Sequence, residues 1–347
     1  MVNKLKLLFF FCICALLCAC NGIGTSDERL LVVKKVKEGV NPGVYAQYAN
    51  KTVLSDIPNF WKAYDSLIYI KDTIAQKQII QHIYLDHASA GLLAFINYRK
   101  LTASKWIKAI NTYPKFWETV RPKTLAVYED TANINRLMAR FKSLYPEFKA
   151  PDVFFFIGNI KTGGTTNNSH VLMGAEIATA DSSVNTEGLS VFLKNVFKQN
   201  SGVFGLVSHE LVHTQQIFNE DDRAPQMNLL GSCLHEGACD FIAELLTGQE
   251  RQTPYIDYGK LNEERLWKKF KSAMYGFNTD EWLYNGGTAN VGKADLGYFM
   301  GYAICTYYYA HSSDKSAAVR DMLTINYNDS HSIQSFFDRT GYSKKYR

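Results

Sequence analysis

The sequence predicts an α+β protein that is mainly helical, with a small sheet beside one buried helix. Three observations predict it. Apolar residues recur at helical spacing over residues 57–146, the pattern of several packed helices. At Pro151 that pattern gives way to short apolar runs of strand type. Beyond them, "FGLVSHELVHTQQIF" (Phe204 to Phe218) and "LLGSCLHEGACDFIAELL" (Leu229 to Leu246) read as two apolar helices that carry polar groups in their middles. A chain of 347 residues can bury one large core or two smaller ones. The expected organisation is a leader over residues 1–19, a tether over 20–50, a helical region over 51–150 and a second region over 151–347.

Composition is that of a globular protein, 46% hydrophobic and 20% charged, which excludes wholesale disorder. Net charge is +5, but the lysines are spread along the chain and form no stripe, so no nucleic-acid partner is expected. No internal repeat or low-complexity segment stands out.

The leader opens "MVNKLKLLFFFCICALLCAC". Lys4 and Lys6 precede an apolar run from Leu7 to Ala19, shorter than the about 20 residues a bilayer span needs but suited to an export signal. It ends in Leu17-Cys18-Ala19-Cys20, which resembles a bacterial lipobox. The resemblance implies cleavage before Cys20, lipid on that cysteine, and a protein anchored to a membrane of the cell envelope, with the outer membrane expected. A soluble export signal or a buried N-terminal helix is the competing reading. Of seven cysteines four lie in this leader, leaving Cys233, Cys239 and Cys305. Cys233 and Cys239 are badly spaced for a mutual bridge, so buried free thiols are expected.

The first helix is expected at "SDIPNFWKAYDSLIYI", where Ser55 or Asp56 can cap and Pro58 fits a first turn. "IAQKQIIQHIYLDHASAGLLAFI", "TASKWIKAINTYPKFWETV" and "DTANINRLMARFKSLYPEF" follow the same pattern, so three or four helices fill the region. "DVFFFIG" then reads as a strand, "NIKTGGTTNNSH" as a loop, "VLMGAEIAT" as a second strand and "GLSVFLKNVFKQN" as a short helix. Whether the two strands pair antiparallel or sit beside others, the sequence leaves open.

In "SHELVH", His209 and His213 stand four apart and project from one helix face, with Glu210 about 100° round and able to reach the same space. His-Glu-x-x-His is a zinc-protease motif, in which the imidazoles hold the metal and the glutamate acts on its water. Two core histidines with ordinary partners are the bland alternative. What weighs against that alternative is the next helix, with Glu236 near its start and Asp240 one turn later. The 22 residues between His213 and Glu236 suffice for a loop and an antiparallel return. A catalytic zinc needs three protein ligands and an open position; Glu236 can supply the third. Asp240 can accept the free N–H of a ligating histidine.

With "HELVH" and "EGACD" the chain resembles the gluzincins, the thermolysin-like clan of metallopeptidases. The resemblance implies a zincin-like fold, zinc as cofactor, His209, His213 and Glu236 as ligands, Glu210 as general base, and Asp240 behind a ligand. Gln215 departs from it, standing where many members have an apolar residue. "DIPNFWKAYD", "FFFIGNIKTGGTT", "SHELVHTQQ" and "LGYFMGYAI" further resemble a predicted zinc-dependent protease family of bacterial lipoproteins, over most of residues 55–340. In gluzincins a Tyr or His stabilises the oxyanion; Tyr298 is the first candidate here, Tyr302 shares its face, and core packing is the competing role. The "KTGGTTNNSHVLMGAE" segment corresponds to the edge strand above gluzincin sites, where extended peptide adds as a strand.

Other candidates are weaker. His235 adjoins Glu236 but points about 100° away. His82 and His87 have no third partner. Gly297 and Gly301 would let their helix approach another closely. The reading is a lipid-anchored zinc metallopeptidase acting on peptide or protein substrates. Its rivals are a non-catalytic zincin-fold lipoprotein serving as a binding or export-accessory module, and a zinc hydrolase of non-peptide amides or esters.

Overall fold

The computed structural model describes residues 47–48, 51–167, 169–199, 202–219, 226–286 and 293–346. The leader with Cys20 and nearly all of the tether lie outside the described residues. The described residues are mainly helical with a small sheet, as the sequence patterns predict.

The N-terminal helices are α1 (Asp56–Leu67), α2 (Thr73–Ile79), α3 (Ala90–Arg99), α4 (Ala103–Thr112), α5 (Pro114–Ala126) and α6 (Thr131–Leu144). These exceed the three or four expected because two long apolar patterns are each broken. After α2 the chain passes through a π-helical turn, Ile80–Tyr84, and a 3-10 turn, Leu85–His87, before Ser89 caps α3. Pro114 starts α5 with only Tyr113 between it and the end of α4, because proline suits a first turn and disrupts a helix interior. The helices close on an aromatic core. Phe60 meets Trp61 at 5.0 Å and Tyr84 at 5.3 Å between ring centroids, both edge to face, and Tyr84 meets Trp106 at 5.9 Å.

The sheet runs β1 (Thr52–Val53), β2 (Asp152–Phe156), β4 (His170–Gly174), β3 (Gly164–Asn167). β1, β2 and β4 are mutually parallel, with Asp152 opposite His170 and Phe156 opposite Gly174. Burial on both faces explains the unbroken apolar run of β2. β3 is the antiparallel edge strand, with Gly164 opposite Met173. This corrects two expectations. Part of the presumed loop is a strand, and the strand read through "VLMGAEIAT" ends at Gly174, where the short helix α7 (Ala175–Ala178) begins. The two apolar strands pair side by side in parallel.

The β2–β3 connection is held from beneath. The Tyr84 hydroxyl and Trp106 Nε1 donate to Ile157 O at 2.8 and 3.2 Å. Asn159 and Ile160 both have left-handed backbone, φ 61° and 55°. Gly158 N and Ile160 N donate to opposite oxygens of the buried Glu176 at 2.9 and 2.6 Å. Burial pushes the Glu176 carboxyl up to about 7, against the pull of those N–H groups.

The remaining helices are α8 (Val191–Gln199), α9 (Val203–His213), α10 (Leu229–Thr247), α11 (Pro254–Ala273), α12 (Leu296–His311), α13 (Lys315–Leu323) and α14 (Ser330–Thr340). Asn228 caps α10 through Gly231 N, and Gly248 ends it in the left-handed region. α10 and α12 cross in near contact: a Cβ on Gly237 would fall on Tyr302 N and Gly301, and one on Gly301 would fall on Cys233 O. Gly297, beside Cys233 Sγ, extends that contact. Cys233, Cys239 and Cys305 are free and buried. No helix of the described residues is long and apolar enough to cross a membrane.

Candidate metal centre

α9 is buried along most of its length because Val207, Leu211 and Val212 cover both sides of its polar face. Its contacts fix its direction relative to α10. Gly205 O lies near Arg251, His209 meets Asp240, and His213 meets Glu236. Advancing along α9 is therefore retreating along α10, and the two helices are antiparallel, as the loop length predicts.

That pairing gathers three donor atoms. His209 Nε2 and His213 Nε2 are 3.1 Å apart. Glu236 Oε2 lies 3.5 Å from the first and 3.4 Å from the second. Donors held at about 2.0–2.1 Å from a tetrahedral zinc stand about 3.4 Å from one another, so the triangle has the size of one face of such a site. Glu236 is fully buried and its Oε2 has no hydrogen-bond partner among the described residues.

The far side of each imidazole is occupied. His209 Nδ1 is 2.9 Å from Asp240 Oδ1, whose carboxylate also receives Arg251 Nη2 at 2.9 Å and the Tyr255 hydroxyl at 2.7 Å. His213 Nδ1 is 2.8 Å from Gln216 Oε1, while Gln216 Nε2 donates to His235 O at 2.8 Å. A carboxylate and an amide oxygen can only accept, so both Nδ1 atoms carry a hydrogen and both Nε2 atoms are turned towards Glu236. Sequence reasoning found Asp240 but missed Gln216, Arg251 and Tyr255. Gln216 follows His213 by three positions, which is a same-face spacing and was a usable signal. Gln215, flagged instead, turns away to exchange bonds with the backbone of Lys149.

The field of the cluster is negative. Burial pulls the His209 imidazole down, but Asp240 and Glu236 outweigh it and hold it up at about 9. Burial opposes ionisation of Glu236 and of Asp240. His213 nevertheless holds the first well below the carboxylate range, and Arg251 and His209 hold the second below it. A pocket that grips a proton this way also suits a metal cation.

Glu210 lies beneath the edge strand. It is fully buried, neither oxygen has a hydrogen-bond partner among the described residues, and burial pushes it up to about 7 against both histidines. A Cβ on Gly164 of β3 would stand 2.8 Å from its Oε1, so glycine there lets the edge strand pass directly over the carboxylate.

The aromatic candidates separate. Tyr298 is buried, with its ring 6.4 Å from that of His209 and roughly parallel to it, which brings it to the cluster. Tyr302 is turned elsewhere: its hydroxyl donates to Glu244 Oε2 at 2.7 Å. A tyrosine that the sequence did not single out, Tyr284, donates to Glu236 Oε1 at 3.0 Å. His235 packs on His213, Phe218 and Tyr327, with Nδ1 3.9 Å from Glu236 Oε1, and burial holds it neutral with a pKa of about 4. Cys239 falls within 4.8 Å of both imidazoles, but its Sγ lies 3.3 Å from His235 O, and burial raises the thiol well above its ordinary range. A metal-ligating sulfur must be thiolate, so His209, His213 and Glu236 are the better donor set. His82 and His87 are exposed, with His82 paired to Asp86.

Residues 165–329 match the model of a family described as "Predicted Zn-dependent protease (DUF2268)". The matched stretch carries every residue of the cluster but not the N-terminal helices, so it is shorter than the resemblance over residues 55–340. No curated protein and no solved structure matches the chain.

Proposed function

We propose that the chain is a zinc-dependent peptidase of gluzincin type, anchored in the cell envelope by lipid on Cys20. The observation that carries the reading is the buried Glu236 Oε2, without a hydrogen-bond partner among the described residues and facing two Nε2 atoms whose rings are oriented by acceptors at Nδ1. His209, His213 and Glu236 would hold the metal, and the N, N, O donor set fits zinc. Zinc bound there would supply Lewis-acid polarisation of the scissile carbonyl and lower the pKa of water towards about 7.

The rest falls to the chain. Glu210, buried beside the histidines and free of partners, is the base that takes a proton from the attacking water and returns it to the leaving amine. Tyr298, whose ring lies beside His209, would donate to the developing oxyanion. β3 offers an antiparallel edge along which an extended peptide can lie, directly above Glu210. The unpartnered glutamate supports an enzyme over a binding module, because a purely structural metal site gains nothing from a buried carboxylate it does not use.

The test is metal analysis of the purified protein together with a peptide-library cleavage assay on wild type and Glu210→Gln. Wild type should bind one zinc and cleave. The variant should keep the zinc and lose about 10²–10⁴-fold in rate. A zinc-loaded wild type that is inert across such libraries would sink the peptidase reading. For the anchor, Cys20→Ser should abolish lipid labelling, and unchanged labelling would remove that claim.

A further inference from the structure

We infer that Tyr284 is a positioning residue for Glu236: its hydroxyl occupies Oε1, so that Oε2 alone is presented to the metal. The inference rests on the metal site proposed above and concerns how one of its ligands is held. The two oxygens of Glu236 have different surroundings. Oε1 receives the Tyr284 phenol at 3.0 Å, whereas Oε2 has no hydrogen-bond partner and faces both imidazoles. His235 Nδ1, at 3.9 Å, lies beyond hydrogen-bond reach of Oε1.

The backbone around Tyr284 points the same way. Tyr284 has φ 58°, a left-handed conformation that a bulky side chain seldom adopts. It is kept there by a reciprocal clip between the next residue and Asp295, which is itself left-handed at φ 57°. Asn285 N donates to Asp295 Oδ1 at 3.0 Å, and Asp295 N donates to Asn285 Oδ1 at 2.8 Å. Gly297 N to Trp282 O, at 2.7 Å, closes the segment against the start of α12. Backbone held in a sparsely populated region by surrounding bonds marks a side chain whose direction matters. Here that direction ends on one oxygen of a metal-facing carboxylate.

The chemical consequence is coordination number. A carboxylate left to itself can bind a metal through one oxygen or both. Binding through both fills the position that a hydrolytic zinc must keep open for water. A phenol bonded to Oε1 opposes that second bond and also fixes the plane of the carboxylate, as hydrogen-bonded partners of ligands generally do.

The test uses the full-length protein loaded with Co²⁺, whose visible spectrum reports coordination number, and measures metal affinity by chelator competition. Wild type should give the strong absorption of a four-coordinate site. Y284F should give weaker absorption, as the carboxylate swings to bind through both oxygens, and about 10–100-fold altered affinity. Y302F loses a comparable tyrosine hydrogen bond on the neighbouring helix without touching Glu236, and should match wild type. Should Y284F fail to fold, N285A loosens the clip with the phenol retained and should shift the spectrum in the same direction by less. Superimposable spectra and affinities for wild type and Y284F, or an equal change in Y302F, would overturn the inference while leaving the site standing. A wild type that takes up no metal would overturn the site and the inference together.

Discussion

Glu176 and Glu210 are both fully buried glutamates, and burial pushes each up to about 7. Their surroundings are opposite. Glu176 sits at the start of α7 and accepts Gly158 N and Ile160 N, one on each oxygen, which holds the left-handed turn between β2 and β3. Glu210 sits in the middle of α9 and accepts nothing from the described residues. The same shift therefore has two meanings. Burial alone does not separate a structural carboxylate from a reactive one; the inventory of partners does.

The largest expected effect breaks the structural member of the pair. Glu176→Leu leaves two backbone N–H groups without acceptors, at about 1–3 kcal/mol each, so urea unfolding should show a loss of about 2–6 kcal/mol. Next comes a pH test on the same residue. Because its folded pKa lies above the ordinary 4.5, its contribution to stability is full below about 4.5 and is lost as pH rises to about 7. Glu176→Gln does not titrate. Relative to wild type the variant should gain about 3 kcal/mol between those limits, whatever its constant offset. A difference curve that is flat, or slopes the other way, would show that Glu176 is ionised throughout.

Glu210→Leu should run against the first result. Removing a buried carboxylate with no partner should stabilise the metal-free protein by about 1–3 kcal/mol, at the cost of the proposed chemistry. If it destabilised the fold as much as Glu176→Leu does, the two glutamates would not differ as their partners imply. The smallest effect separates the two imidazoles. Asp240→Asn weakens a charged partner of His209 and should cost about 10–100-fold in zinc affinity, whereas Gln216→Ala removes a neutral partner of His213 and should cost about tenfold or less. Equal losses in competition titrations would mean that the charge on Asp240 contributes nothing beyond geometry.

Much of the centre was legible because its spacing is local. His209, Glu210 and His213 share one turn of α9, and Glu236 and Asp240 share one turn of α10, so helical spacing groups them into two sets, which tertiary packing then brings together. What was missed arrives from elsewhere in the chain. Arg251 and Tyr255 follow the end of α10, Tyr284 comes from an irregular segment held by Asp295, and Glu176 acts through backbone groups that no side-chain pattern reveals. β3 reads as loop in the sequence because its residues are Gly, Thr, Thr and Asn, the composition of a turn; pairing with β4 decides its state. The helical region divides more finely than its sequence pattern because apolar residues continue across the π-helical turn at Ile80–Tyr84.

The crossing of α10 on α12 at Gly237 and Gly301 has a bearing on how a metal would arrive and leave. With backbone against backbone, the contact restricts sliding and rotation of α10, the helix that carries Glu236 and Asp240. Zinc-finger domains are built the other way: their ligands converge only as the metal binds, and the metal supplies the folding energy. Here α10 is ordered by a contact that does not involve the metal, so metal uptake and chain folding are expected to be separate equilibria. A chelator should strip the centre and leave a cooperatively folded protein, ready to be reloaded.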